Sequence, residues 1–252
     1  MSREMLNDKT FAGVGAAQPV AIPGRPDRAV AGVMTINGVV TRAAFLLGLT
    51  VVAATFGWNR ASSVSGTIQS VLLVGLLGLV VLSLVTARKP QLAIVTGPVY
   101  AVVMGVWTGI ISHYYEAAYP GIVLQAVFAT FSVFLACLVL YVTRIVKVTN
   151  RFVFVVAVAT MGILVMYVAA IVLGLFGVDV TFIDSSSSWG ILLSIGICIV
   201  AALNLFLDFR FIEEGAQRGA PTYMAWYSAF GLLATLIWLY LEVLRLLGKV
   251  RG

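Results

Sequence analysis

The chain has 252 residues, of which 61% are hydrophobic and only 10% charged, with a formal net charge of +6. Soluble domains carry about 25% charged residues, so a water-soluble core of this extent would lack a polar shell. Two cysteines and one histidine exclude a disulfide framework, a redox pair and a His-rich metal site.

Residues 1–40 mix charges, Gly and Pro without the apolar core of a cleavable signal. They predict a disordered cytoplasmic tail, with MTINGVV at 34–40 a candidate interfacial segment. Residues 41–252 predict one transmembrane domain. A helical span needs about 20 apolar residues. Seven stretches qualify: about 43–58, 66–86, 92–112, 120–142, 152–176, 188–209 and 225–247. The predicted fold class is therefore all-α, an integral membrane bundle of seven helices. Breaks such as ARKPQ, YPG, TNR, DSSSS and GAQRGAPT separate them, with Gly215 expected to end the sixth helix and Pro221 to open the seventh. Gly105 and Gly109, and the tighter pair Gly75 and Gly78, predict close helix packing.

Lys and Arg are unevenly shared between alternate connections, 12 against 4. The positive-inside bias then puts the N-terminus in the cytoplasm and, with an odd number of spans, the C-terminus outside. No basic cluster with interleaved aromatics suggests nucleic acid as a partner; the lipid bilayer is the expected one. Cys137 and Cys198 fall inside apolar helices, where Cys behaves as a small hydrophobe.

The acids are more informative. Glu4, Asp8 and Asp27 lie in the tail, Glu116, Asp179 and Asp184 in outer connections, and Glu213 and Glu214 at an inner helix end as secondary acids. His113 and Glu116, one turn apart, predict at most a surface pair. Only Asp208 and Glu242 lie within predicted spans, where a charge implies a partner or access to water. Arg245, one turn after Glu242, predicts a structural pair near the outer surface. Asp208 has two readings. One is an interfacial carboxylate wetted by headgroup water and paired with Arg88 or Arg144; the other is a functional ion or proton group. Lys9, Lys89, Lys147 and Lys249 are all outside the spans, which excludes a retinal Schiff base. Neither the opposed acid pair of an intramembrane aspartyl protease nor a zinc ligand cluster is present in the sequence pattern. The chain is expected not to be an enzyme and to carry no cofactor.

Three stretches, ISHYYEAAYPGIVLQAVFATF (111–131), ALNLFLDFRFIEEGAQRG (202–219) and YSAFGLLATLIWLYLEVLRLLGKV (227–250), resemble the Bax inhibitor family, closest to its bacterial, YccA-like members. The resemblance implies six helices around a central seventh, in the cytoplasmic membrane. It implies a pH-dependent leak for cations, calcium first among them, with calcium as transported ion rather than cofactor. In such members an aspartate on helix 6 and one on helix 7 share a proton, and a basic residue after helix 2 latches onto them. Asp208 matches the first, making it the candidate calcium ligand. Thr235 stands where the second would be, so the carboxylate pair is incomplete. Arg88, Lys89 and Thr86 are the latch candidates. The resemblance also implies an alternative: a non-conducting regulatory protein that binds a membrane protease or another membrane protein. Oligomeric state is not legible.

Overall fold

A computed structural model describes residues 32–64, 68–176 and 187–252. The predicted tail up to residue 31, and the loop acids Asp179 and Asp184, lie outside the described residues. Among the described residues, seven α-helices follow in order: α1 (Ile36–Arg60), α2 (Ile68–Arg88), α3 (Ala93–Ala118), α4 (Ile122–Val142), α5 (Asn150–Leu175), α6 (Ser188–Gln217) and α7 (Tyr223–Arg251). Six of them are long and apolar enough to cross a membrane, all but α2, whose described part is a shorter apolar helix, Leu73–Arg88.

The polar breaks between spans become caps. Thr35, Thr149 and Ser187 each accept a backbone N–H from the first turn that follows, at 3.0, 3.2 and 3.3 Å. The Thr35 cap starts α1 at Ile36, so most of the expected interfacial segment is helical. At YPG, Gly121 adopts φ +82° and the Glu116 carboxylate accepts from the N–H groups of Gly121 (2.6 Å) and Val123 (3.1 Å). Glu116 therefore caps α4 rather than pairing with His113. The imidazole of His113 instead meets Trp58 edge-on, with ring centroids 5.3 Å apart.

Two boundaries differ from the sequence pattern. Gly215 does not end α6, which runs on to Gln217; the left-handed residue is Gly219, at φ +63°. Gly215 instead admits Met34, whose Sδ would stand 3.0 Å from a Cβ placed there. Pro221 precedes α7 and forms an isolated antiparallel bridge with Val33.

α3 lies against α1 with backbone nearly touching backbone. A Cβ on Gly105 would collide with the Thr50 carbonyl, and one on Gly109 with the Ala54 carbonyl. The GxxxG pair thus serves packing within the chain, the close approach that small residues allow in lipid. α7 packs on α6, α1, α3 and α4, while α2 packs chiefly on α3 and α5 on α6. The outer face of α5 presents Phe154, Val155, Val158, Met161, Leu164 and Val165, as expected of a helix facing acyl chains.

The bundle has two distinct ends. At one, Met34 donates its N–H to the Ala220 carbonyl (2.7 Å) and Thr222 to that of Gly32 (3.1 Å), placing the start of α1 beside the α6–α7 turn. At the other, Arg251 reaches the Pro120 carbonyl (3.1 Å) and the Gln125 Oε1 (2.8 Å) at the α3–α4 turn. The start of α1 and the end of α7 are on opposite ends.

Candidate functional site

α6 buries Leu205, Phe206, Phe209 and Ile212 against its neighbours, and within this apolar face Asp208 turns toward α7. It lies nine residues before the helix end, about 14 Å along the axis at ~1.5 Å per residue. Opposite it stands Gly231, where an added Cβ would be 3.7 Å from Asp208 Oδ1. Thr235, one turn further along α7, stands beside Asp208 and donates its hydroxyl to the Gly231 carbonyl at 3.2 Å. Asp208 as a residue is half-buried, yet its Oδ2 is shut off from solvent and has no hydrogen-bond partner. A buried carboxylate oxygen left unmatched is costly, and it is the kind of exception that calls for a role.

The latch candidates are elsewhere. Arg88 and Lys89 are exposed at the end of α2, and none of the ion pairs formed among the described residues involves Asp208. Thr86 is fully buried, but it donates to the Leu82 carbonyl at 2.7 Å and lies 2.7 Å from the Thr96 hydroxyl, tying α2 to α3. The expected pairing of Asp208 with Arg88 is not formed, because α2 packs on α3 and stays away from the α6–α7 seam.

Basic groups near the same end are otherwise engaged. Glu213 is held by Arg144 and by the Tyr141 hydroxyl, and accepts from Gln217 at 3.1 Å. Beside this carboxylate the Arg144 guanidinium binds its proton more tightly than usual. Arg144 takes a left-handed φ of 59° in doing so. Glu214 pairs with Arg210 (2.6 Å) and Arg218 (3.1 Å). Arg210 also donates to the Val148 carbonyl and to Asn150, at 2.9 and 2.8 Å. These groups surround a polar cavity of about 440 Å³ between the α4–α5 connection and the end of α6. The secondary acids therefore form an ion-pair belt; they do not converge with Asp208. Among the described residues no three His, Cys, Asp or Glu side chains come together as a metal site.

A family model described as Bax inhibitor 1 like matches residues 3–252. The chain belongs to this family. No curated protein and no solved structure matches it.

For this Bax inhibitor 1 like protein, the second acid inside the spans departs from its expected setting. Glu242 does pair with Arg245, at 3.2 Å, but it is only 2% exposed. The carboxylate also accepts from the Tyr167 hydroxyl (2.8 Å) and Trp238 Nε1 (3.2 Å), and Arg245 bonds the Tyr167 hydroxyl with its guanidinium 5.1 Å over that ring. This is a buried network joining α5 to α7, wider than the single pair that the spacing predicts. Nothing in the i, i+3 spacing could reveal Tyr167, which lies 75 positions away.

Arg42 is the other residue that the sequence pattern passed over. Its guanidinium lies over Trp226 of α7 at 5.4 Å and donates to the Gly38 carbonyl at 2.8 Å, while its Nε is buried without a partner. It is a half-buried basic group facing Trp226 in the first turn of α7.

Proposed function

We propose that this protein is a pH-sensitive cation leak pathway of the cytoplasmic membrane, with calcium as the leading ion. Its N-terminus would be cytoplasmic, its C-terminus outside, and α7 would be the axis around which the other six helices stand. The observation that carries this reading is Asp208, an acid on an apolar seam between α6 and α7 with a buried, unmatched oxygen. An ionisable group in such a place is retained where it serves an ion or proton path.

The chemistry of the seam sets what the site does. Asp208, Thr235 and the Gly231 carbonyl supply only oxygen donors, which suit a hard cation. Calcium takes 6–8 oxygen ligands, so these few leave most of the shell to water. Such a site passes an ion rather than storing it. A proton on Asp208 removes the negative charge and turns an acceptor-only group into a donor, which gives a single carboxylate pH sensitivity without a second acid. No step here breaks a covalent bond, so the activity proposed is transport rather than catalysis.

Flux from purified protein in liposomes tests this. Asp208→Asn should abolish the pH dependence of calcium flux, and Thr235→Asp should shift it toward neutral pH, because two close carboxylates resist ionising together. Equal flux and equal pH response in wild type and both variants would end the ion-site reading. Cysteine-scanning with an impermeant thiol reagent, in a background lacking Cys137 and Cys198, tests the orientation through labelling of position 251 on intact cells.

A second reading is favoured by the missing acid at Thr235. With one carboxylate and no ligand cluster among the described residues, a non-conducting regulatory protein that binds a membrane protease or another membrane protein accounts for the same fold. Absence of flux in wild-type liposomes, with the fold intact, would select it.

A further inference from the structure

α1 packs on α3 and α7, and α4 packs on α6, α7 and α3, so α1 and α4 flank a cleft floored by α3 and α7. The cleft has a volume of about 630 Å³, within the ~300–1,000 Å³ typical of small-molecule sites. Its walls are mostly apolar, and Val51 on α1 and Val127 and Phe131 on α4 stand at its exposed side.

The cleft carries hydroxyls that are not all accounted for. Thr50 and Thr130 satisfy themselves in the ordinary way, donating to the carbonyls of Leu46 (2.9 Å) and Ala126 (2.7 Å) one turn back. Thr108 does not: its residue is 7% exposed and its Oγ1 is buried without any partner. Ser112, one turn on and on the same face, shares a single 2.7 Å bond with the Tyr240 hydroxyl. Two hydroxyls in one bond leave one O–H donor spare. The cleft thus offers two unused donors, on Thr108 and on the Ser112–Tyr240 pair, about 6 Å apart along α3.

Depth decides what can meet them. Thr108 is ten residues before Ala118, about 15 Å from the helix end. That lies within a hydrocarbon layer about 30 Å thick, where an unmatched polar group is expensive. We infer that the α1–α4 cleft binds one bilayer-soluble apolar molecule bearing a carbonyl oxygen, which Thr108 and the Ser112–Tyr240 pair recognise as donors. An acyl lipid ester and an isoprenoid quinone both have this chemistry. The inference does not rest on the leak reading, since the cleft and Asp208 involve different residues.

Photolabelling of full-length protein in liposomes tests it and separates the sources. One preparation carries a diazirine-tailed phosphatidylglycerol, the other an azido-quinone, and adducts are mapped by mass spectrometry. With one of the probes, adducts on Val51, Val127 and Phe131 should exceed those on Val158 and Leu164 of the lipid-facing α5 surface, and excess unlabelled compound of the same class should compete. Thr108→Val, nearly isosteric, should weaken competition by about five-fold, the scale of one neutral hydrogen bond; Thr108→Ser should restore it. Val127→Trp, which fills the mouth, should bring cleft adducts down to the α5 level. Cleft labelling at the α5 level with both probes in wild type would overturn the inference. So would enrichment untouched by Thr108→Val and Val127→Trp, which would mark ordinary boundary lipid.

Discussion

Asp208→Asn exchanges a carboxylate for a neutral amide of the same shape, at a position where one carboxylate oxygen has no partner. Leaving a buried acceptor unmatched costs about 1–3 kcal/mol, and more for a charged group. The amide removes the charge and adds N–H donors beside the Thr235 hydroxyl and the Gly231 carbonyl. The variant should therefore be more stable than wild type by about 1–3 kcal/mol. For a chain of this size that corresponds to a rise of roughly 2–12 °C in unfolding midpoint. Cys137 is buried and Cys198 half-buried, both free, so a thiol-reactive fluorophore reports unfolding in detergent without added labels. A lower midpoint for Asp208→Asn would refute the reasoning, since it would mean that the carboxylate stabilises the α6–α7 seam. A higher midpoint together with lost pH-dependent flux is the trade of stability for activity expected of a functional site.

Gly109→Ala should lower the same midpoint, because its Cβ meets the Ala54 carbonyl and α1 must move away from α3; overpacking of this kind costs about 1–3 kcal/mol. Gly78→Ala, with open space around it, should be neutral or gain up to about 1 kcal/mol, and equal midpoints for the two would contradict the packing assignment. Glu242→Leu takes the acceptor from Tyr167 and Trp238 and should cost about 3 kcal/mol, the low end for a broken buried pair because Arg245 keeps 30% exposure. Glu242→Gln, which keeps an acceptor oxygen, should lose less; a fully stable Leu variant would show the network to be dispensable. Glu116→Ala should cost about 0.5–2 kcal/mol through the lost cap of α4, with partial recovery in Glu116→Gln, and no loss would place the capping elsewhere.

The spans were legible in the sequence because lipid demands long apolar runs whose backbone satisfies itself, and that demand is local. The breaks at TNR and DSSSS were legible for the same reason, and in the structure Thr149 and Ser187 within them cap the helices that follow. Asp208 was visible because a lone acid in an apolar run is conspicuous by composition, and Glu242 with Arg245 because one helical turn separates them. Which neighbour each of these meets was not legible. Spacing placed Arg88 near the inner end but not on α3's side of the bundle, and it gave Glu242 only Arg245 as a partner when Tyr167 and Trp238 also enclose it. Gly215 read as a stop, yet α6 continues past it and Met34 fills the space beside it. Arg42 over Trp226 and the unmatched Thr108 hydroxyl in the α1–α4 cleft join residues far apart in the chain. Their chemistry depends on how helices are laid side by side. Hydropathy determines that a helix enters the membrane, but its apolar faces look alike to lipid and to other helices, so only packing decides which face turns inward.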